Sequence, residues 1–133
     1  MKRRAVRGSE GLTLDAGGLI AIERGDRNAA ILLREALDLG ARLSVPSGVL
    51  AQVFRDPGKQ VRLARFLATS DYEPVSLDDI AARAIGRLLA ARAGSDVVDA
   101  SVVVCARSRR QAVLTSDPDD LRALDPELVV LEV

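Results

Sequence analysis

Histidine is absent from this chain of 133 residues, and its absence removes several kinds of active site. Without imidazole there is no histidine general base, no Ser-His-Asp or Cys-His arrangement and no histidine-ligated zinc. Hydrolytic chemistry would therefore have to depend on carboxylates. Carboxylate oxygens are typical ligands of hard metal ions such as Mg²⁺ and Mn²⁺.

Aromatic residues and cysteine are also scarce. Tyr72, Phe54 and Phe66 are the only aromatic residues, which predicts an aliphatic core and excludes a base-stacking platform. The single cysteine, Cys105, lies in an apolar run, where we expect a small buried side chain. One cysteine forms no internal disulfide, which favours a reducing cytoplasm. No apolar run is long enough to span a bilayer, and the basic start "MKRRAVRGSEG" lacks the apolar region of a secretory signal.

The formal charge is zero, because 19 basic side chains balance 19 acidic ones. A neutral protein lacks the broad positive field of a non-specific nucleic-acid binder. Lys2 and Lys59 are the only lysines, so the other basic side chains are arginines, which can hold phosphates locally through their planar guanidinium groups.

The chain shows no internal repeat or linker, and we predict a flexible N-terminal arm (1–10) followed by one domain (11–133). Strand and helix patterns alternate, which predicts an α/β domain with a mainly parallel sheet. The predicted strands are 11–15, 41–46, 72–76, 111–116 and 127–133, and the predicted helices are 16–25, 26–40, 47–56, 57–70, 76–94, 94–110 and 118–124. We expect Ser47 and Ser76 to cap two of these helices, and Pro57 to open another.

The segment "GSDVVDASVVVCARSRR" (94–110) is ambiguous, because three consecutive valines also suit a strand. Asp96 and Asp99 at its start and three arginines at its end match the macrodipole of a helix. We therefore predict a helix, and its apolar residues on nearly every side predict that it is central and buried.

Four aspartates occur where predicted strands end or a helix begins. Asp15 ends the first strand, Asp117 follows the strand "VLTS", and Asp96 and Asp99 share one helix face at i and i+3. In an open parallel sheet, sites form beyond the carboxyl ends of the strands. Carboxylates gathered there would repel one another, and a divalent cation would remove that penalty. The pattern indicates a Mg²⁺ or Mn²⁺ site that activates water against a phosphodiester.

Each aspartate also has a purely structural explanation. Asp96 can cap its helix with Asp99 in the first turn, and Asp117 can be the cap that precedes Pro118. Asp15 can be an ordinary strand-to-turn residue before two glycines.

Three segments together resemble the PIN-domain family, especially the toxin ribonucleases of bacterial VapBC-type toxin–antitoxin pairs: "LTLDAGGLIAIERGD", "SDVVDASVVVCA" and "VLTSDPDDL". The resemblance extends from about residue 11 to residue 133. It implies a PIN-like three-layer α/β/α domain with a central, mainly parallel sheet. It also implies a Mg²⁺- or Mn²⁺-dependent endonuclease of single-stranded RNA, usually a homodimer that a small antitoxin protein inhibits.

The resemblance assigns roles by position. Asp15, Asp99 and Asp117 correspond to the metal-site carboxylates, and Asp96 to a further ligand or a water-orienting group. Ser116 could hold a phosphate or a water molecule, or could simply cap a turn.

One position departs from the family pattern, since Gln52 stands where the second motif normally has a glutamate. An amide can bond a metal-bound water but adds no charge. Asp56, four residues on, could replace the missing carboxylate or could end the helix before Pro57. Gln52 motivates the alternative of a catalytically weakened PIN-like domain that serves as a protein or RNA interaction module. A phosphoryl-accepting receiver-like domain is a more distant alternative, because this sequence lacks the early acidic pair that such a domain would have.

Contacts with RNA are predicted for Arg24, near the end of the first helix, and for Arg55, although both could be ordinary solvated arginines. The basic stretch "KRRAVR" could contact phosphate or be a disordered tail. Phe54 and Phe66 are expected in the core or in a partner groove.

Overall fold

The computed structural model describes residues 10–133. Residues 1–9, with most of the predicted arm and the stretch "KRRAVR", lie outside the described residues. The strands of the described part are β1 (Gly11–Leu14), β2 (Arg42–Pro46), β3 (Tyr72–Val75), β4 (Ala112–Thr115) and β5 (Val130–Glu132). Its helices are α1 (Ala16–Arg24), α2 (Arg27–Asp38), α3 (Ser47–Val53), α4 (Val61–Thr69), α5 (Asp79–Arg92), α6 (Val97–Arg109) and α7 (Pro118–Leu124).

The strands form one sheet in the order β3-β2-β1-β4-β5, and every pairing is parallel. Its edges are β3, which contains Pro74, and the three-residue strand β5. The chain builds outward from β1 through β2 to β3 and then returns to the other side of β1 as β4. The crevice at the carboxyl ends of β1 and β4 is therefore the switch point of the sheet, where ligands of open α/β folds bind.

Helices cover the sheet in two groups. Helix α1 contacts β1 and β4 and also packs against α2 and α4, whereas α6 contacts β1, β2 and β4 and packs against α5 and α7. The buried core between them is aliphatic, as the composition predicts, with Leu12, Leu14, Val103 and Leu114 wholly inaccessible. The predicted three-layer α/β/α architecture is confirmed. Among residues 10–133, no helix is long and apolar enough to cross a membrane.

The ambiguous segment is a helix, as predicted, and five of the 13 residues of α6 are buried. Its valines 102 and 103 and its residues Ala100, Cys105 and Ala106 are buried. Asp96 caps its first turn, and Arg110 ends it in the left-handed region at φ 56°. Burial of Cys105 confirms that this side chain belongs to the interior.

Three details of the predicted helix starts are wrong. Ser47 is the first residue of α3 and not its cap, and Asp78, not Ser76, caps α5 by accepting a bond from Ala81 N–H at 2.8 Å. Pro57 opens no helix, because the chain between α3 and α4 is held as a loop by Gln60. Its Oε1 accepts from two backbone N–H groups, and its Nε2 donates to the Val53 carbonyl at 2.9 Å.

Candidate active site at the carboxyl edge of the sheet

Asp15 lies at the switch point because the chain turns there from β1 into α1. Its Oδ1 caps α1 by accepting from Gly18 N–H at 2.8 Å, and its own N–H donates to the Leu114 carbonyl at 3.3 Å. The first turn of α1 lies directly against the end of β4. A Cβ at Gly18 would lie 2.7 Å from the Leu114 carbonyl oxygen, and one at Gly17 would overlap Ser116 Oγ. Glycine is therefore required at both positions.

Thr115 joins the ends of β1 and β4. Its buried hydroxyl donates to the Asp15 carboxylate and accepts from Asp117 N–H at 2.9 Å. One side chain thus sets the orientation of two of the predicted metal-site residues. Ser116, the neighbouring residue that the sequence predicts for the site, is exposed.

Asp96 and Asp99 reach the same edge from the start of α6. Asp96 is exposed, and its Oδ1 accepts from Asp99 N–H at 2.9 Å, so its structural explanation as a helix cap is confirmed. Asp99 stands in the first turn of α6 and is half-buried.

Asp117 and Asp120 complete the cluster. Asp117 precedes Pro118 at the cap position of α7, but its side chain makes no capping bond. Its carboxylate lies instead beside that of Asp120, in the first turn of the same helix. Asp120 is not among the residues that the sequence predicts for the site.

Electrostatic coupling joins the five aspartates. The pKa of Asp99 is raised to about 6, first by burial and then by the charges of Asp96, Asp120, Asp15 and Asp117, in decreasing order of effect. Burial also raises the pKa of Asp15, against the lowering effect of the Thr115 hydroxyl and of the Gly18 and Gly17 N–H groups, while the charge of Asp117 adds to the rise. The neighbouring carboxylate of Asp117 raises the pKa of Asp120. Carboxylates from three separate segments therefore act on one another across this edge.

The cluster is not a ready-made metal cage. Within residues 10–133, no group of three or more acidic or cysteine side chains is arranged so that it could hold a metal ion. The donor chemistry nevertheless fits a hard cation, since every side chain of the cluster offers carboxylate oxygens and the mutual repulsion favours a positive charge among them.

The other predicted residues lie outside the cluster. Gln52 is exposed on α3, and among the described residues no hydrogen bond joins it to another side chain. Asp56 does not share a helix face with it, because α3 ends at Val53 and Asp56 Oδ1 accepts from Gly58 N–H in the following turn. Arg55 donates to the carbonyls of residues 51 and 54, and Arg24 is exposed at the end of α1.

The raised pKa of Asp99 predicts how the stability of the metal-free protein changes with pH. An acid whose pKa is higher in the folded state contributes stability below its unfolded pKa of 3.8, and that contribution is lost as pH rises through about 6. Asp99→Asn removes the loss, so we expect this variant to melt a few degrees above the parent chain near pH 8 in EDTA, with the gain shrinking toward pH 4.

The control is Asp71→Asn, which removes an exposed carboxylate just before β3, at the opposite end of the strands. Its melting temperature should follow the parent chain at every pH. An Asp99→Asn variant that is no more stable than the parent near pH 8 would contradict the coupling.

Comparison with protein-family models gives no match for this sequence, and comparison with curated proteins gives none either. Solved structures do match. A chain of the VapBC2 complex from Rickettsia felis, bound to a promoter DNA fragment, aligns with a TM-score of 0.71 at 17% identity, over 92% of this chain and 98% of that chain. A chain of a toxin–antitoxin complex from Klebsiella pneumoniae aligns with a TM-score of 0.68 at 18% identity, over 92% and 100%.

A chain of FitAcB from Neisseria gonorrhoeae gives a TM-score of 0.64 at 15% identity, over 91% of this chain and 96% of that chain. Alignments at identities this low establish the fold but not the catalytic activity. The coverage is nearly complete in both directions, so the likeness concerns the whole domain. The chain has the PIN-like fold that its sequence predicts.

Proposed function

We propose that the protein is a metal-dependent endonuclease of single-stranded RNA that acts in the cytoplasm as the toxin of a toxin–antitoxin pair. The observation that carries the proposal is the convergence of aspartates from β1, α6 and the β4–α7 connection on the switch point of the sheet. Similarity in fold to chains of toxin–antitoxin complexes supports the toxin role.

The proposed cofactor is Mg²⁺ or Mn²⁺, held by Asp15, Asp99 and Asp117. Mg²⁺ keeps several of its waters and is usually bound through one or two carboxylates, so its binding does not require a closed cage of protein ligands. When bound, such a cation lowers the pKa of a coordinated water and stabilises negative charge on a phosphodiester.

The chain itself supplies orientation. The Thr115 hydroxyl holds the Asp15 carboxylate and the Asp117 backbone in place. Asp96 uses Oδ1 to cap α6, and we assign its other carboxylate oxygen a role in orienting water. Ser116 Oγ lies against Gly17, where a hydroxyl can donate to a substrate phosphate.

The proposed assembly is a homodimer inhibited by a small antitoxin. Leu77, Ile80 and Val97 are exposed apolar side chains, and Ile80 is 80% accessible. They border a mainly apolar groove of about 350 Å³ between α5, α6 and the ends of β2 and β3. Because one surface carries both a protruding side chain and a cavity, it is suited to the self-complementary contact of a two-fold dimer.

The alternative is a catalytically weakened PIN-like domain that binds a protein or RNA partner without cleaving. The specific observation that favours it is Gln52, since no carboxylate stands at that position and the described residues form no ready-made metal cage.

Loss of either of two carboxylates should abolish cleavage. Asp15→Asn and Asp99→Asn should each reduce Mn²⁺-stimulated cleavage of single-stranded RNA by at least about 100-fold, because each removes a charge from the cation site. A gel-based cleavage assay measures the rates, and circular dichroism checks the fold. The matched control is Asp38→Asn, an exposed residue at the end of α2, which should cleave at the parent rate. Full activity in both site variants would reject the assignment.

Metal affinity separates the two proposed functions. For the nuclease, isothermal titration calorimetry of the parent chain with Mn²⁺ should give saturable binding below millimolar concentration, and Asp99→Asn should weaken it. A weakened pocket gives no saturable binding in that range, and this result would favour the interaction module.

The proposed dimer makes a prediction for Ile80. Ile80→Glu places a charge on the exposed apolar surface, so we expect sedimentation equilibrium to show a monomer where the parent chain is a dimer. Ile31→Glu is the matched control, because Ile31 is 48% exposed on α2, away from that surface. A monomeric parent chain, or an Ile80→Glu variant that dimerises normally, would contradict this interface.

A further inference from the structure

A second concave surface lies on α4, far from the apolar groove, and we call it the α4 groove. Charged and polar residues make up its lining except for Val61 and Phe66; the lining residues are Glu23, Lys59, Val61, Arg62, Arg65, Phe66, Thr69 and Ser70. It forms where the carboxyl end of α1 meets the start of α4.

The α4 groove carries an excess of positive charge. Lys59, Arg62 and Arg65 are exposed, and none of them forms an ion pair within residues 10–133. The single carboxylate of the groove is engaged, because Glu23 Oε2 accepts from Leu63 N–H at 2.7 Å and so caps α4.

Contacts with α1 hold Arg62 in place. Its guanidinium donates to the Glu23 carbonyl at 3.4 Å and lies over Gly25, where an added Cβ would be 3.1 Å from Arg62 Nε. Gly25 has φ 68°, so the turn after α1 both permits the left-handed cap and leaves room for this side chain.

The proposed nuclease needs such a surface. The five aspartates of the candidate site repel phosphates, so the affinity for a polyanionic substrate has to come from cations elsewhere on the molecule. Helix α1 connects the two places, with Asp15 at its start and Glu23 near its end. At a rise of roughly 1.5 Å per residue these positions lie about 12 Å apart along the axis. About four stacked nucleotides cover that distance at roughly 3.4 Å each.

We propose that the α4 groove binds the phosphodiester backbone of single-stranded RNA while the aspartate cluster holds the scissile linkage, an inference that rests on the proposed nuclease function. Lys59, Arg62 and Arg65 contact phosphates in this arrangement. Thr69 Oγ1 donates to the Arg65 carbonyl at 2.7 Å, which leaves its oxygen free to accept from a ribose hydroxyl.

An acidic protein segment is the competing occupant, and the lining argues against it. An amphipathic segment docks through apolar side chains, and this groove offers only Val61 and Phe66 for them. One face of the Phe66 ring is already stacked on Tyr72, with 6.5 Å between ring centroids. Cations and hydroxyl groups suit the repeating phosphates and ribose hydroxyls of RNA better.

Fluorescence anisotropy in EDTA measures RNA binding without cleavage. The probe is a fluorescein-labelled single-stranded RNA of about 12 nucleotides, titrated with the full chain at several salt concentrations. We expect Arg62→Gln/Arg65→Gln to weaken binding at least tenfold at low salt. The slope of log affinity against log salt should fall by about 1.4, since each phosphate contact in a single strand contributes about 0.7.

One control variant and one further test variant complete the experiment. Arg34→Gln/Arg83→Gln removes the same charge from exposed positions on α2 and α5, and its affinity should stay within twofold of the parent value. Lys59→Gln lies before α4, outside any helix, and should weaken binding about threefold or more with the melting temperature unchanged. Parent-like RNA affinity in Arg62→Gln/Arg65→Gln would overturn the proposal, as would a parent chain that does not bind the RNA.

The results also separate this inference from the nuclease proposal. Groove-dependent binding in EDTA without any cleavage in Mn²⁺ would leave the groove assignment standing and reject the nuclease. Normal cleavage together with unchanged binding by Arg62→Gln/Arg65→Gln would reject the groove assignment and leave the nuclease proposal standing. Tighter binding of a labelled glutamate decapeptide than of RNA, lost in the same variant, would assign the groove to an acidic protein segment and overturn the RNA proposal.

Discussion

The close contact between the first turn of α1 and the end of β4 determines how the rest of the site is arranged. Gly17 and Gly18 permit it, because any Cβ there would collide with Ser116 or with the Leu114 carbonyl. The contact brings the Asp15 carboxylate within reach of the Thr115 hydroxyl, which also holds Asp117 N–H. A β-branched or larger residue in that turn would separate Asp15, which follows β1, from Thr115 and Asp117 at the end of β4. Each strand could still form.

The aspartates repel one another, and the fold offsets part of that cost with helix dipoles. Three helices begin at this edge, and acids stand at the cap or in the first turn of each: Asp15 for α1, Asp96 and Asp99 for α6, Asp117 and Asp120 for α7. The positive ends of the dipoles and the free N–H groups favour negative charge there. Capping and the proposed metal binding are therefore compatible roles, and the explanation of Asp96 as a cap does not compete with its place in the proposed site.

Patterning in the sequence is enough to predict the sheet, the buried helix α6 and the edge at which the acids gather, because strand-end positions and helix periodicity are local properties. It fails at Ser76 because Asp78, two residues on, is an equally acceptable cap, and at Ser47 because the helix starts one residue earlier, with Pro46 at the cap position. Thr115 and Asp120 are missed for another reason. The role of Thr115 depends on contact with Asp15, 100 positions earlier in the chain. Asp120 belongs to the cluster because it lies beside Asp117, and an acid after Asp117 is equally typical of an ordinary helix start.

The two borders of the sheet limit how the protein can associate. Pro74 leaves β3 without one backbone donor, and Arg109 of α6 clamps Glu73 in the same strand through two bonds of 3.0 Å. At the other border, β5 spans only three residues. Strands this short, one of them interrupted by proline, are poor templates for β-augmentation. Extension of this sheet by another polypeptide is therefore disfavoured, and a partner would be recognised mainly by surface side chains, which can change while the sheet stays the same.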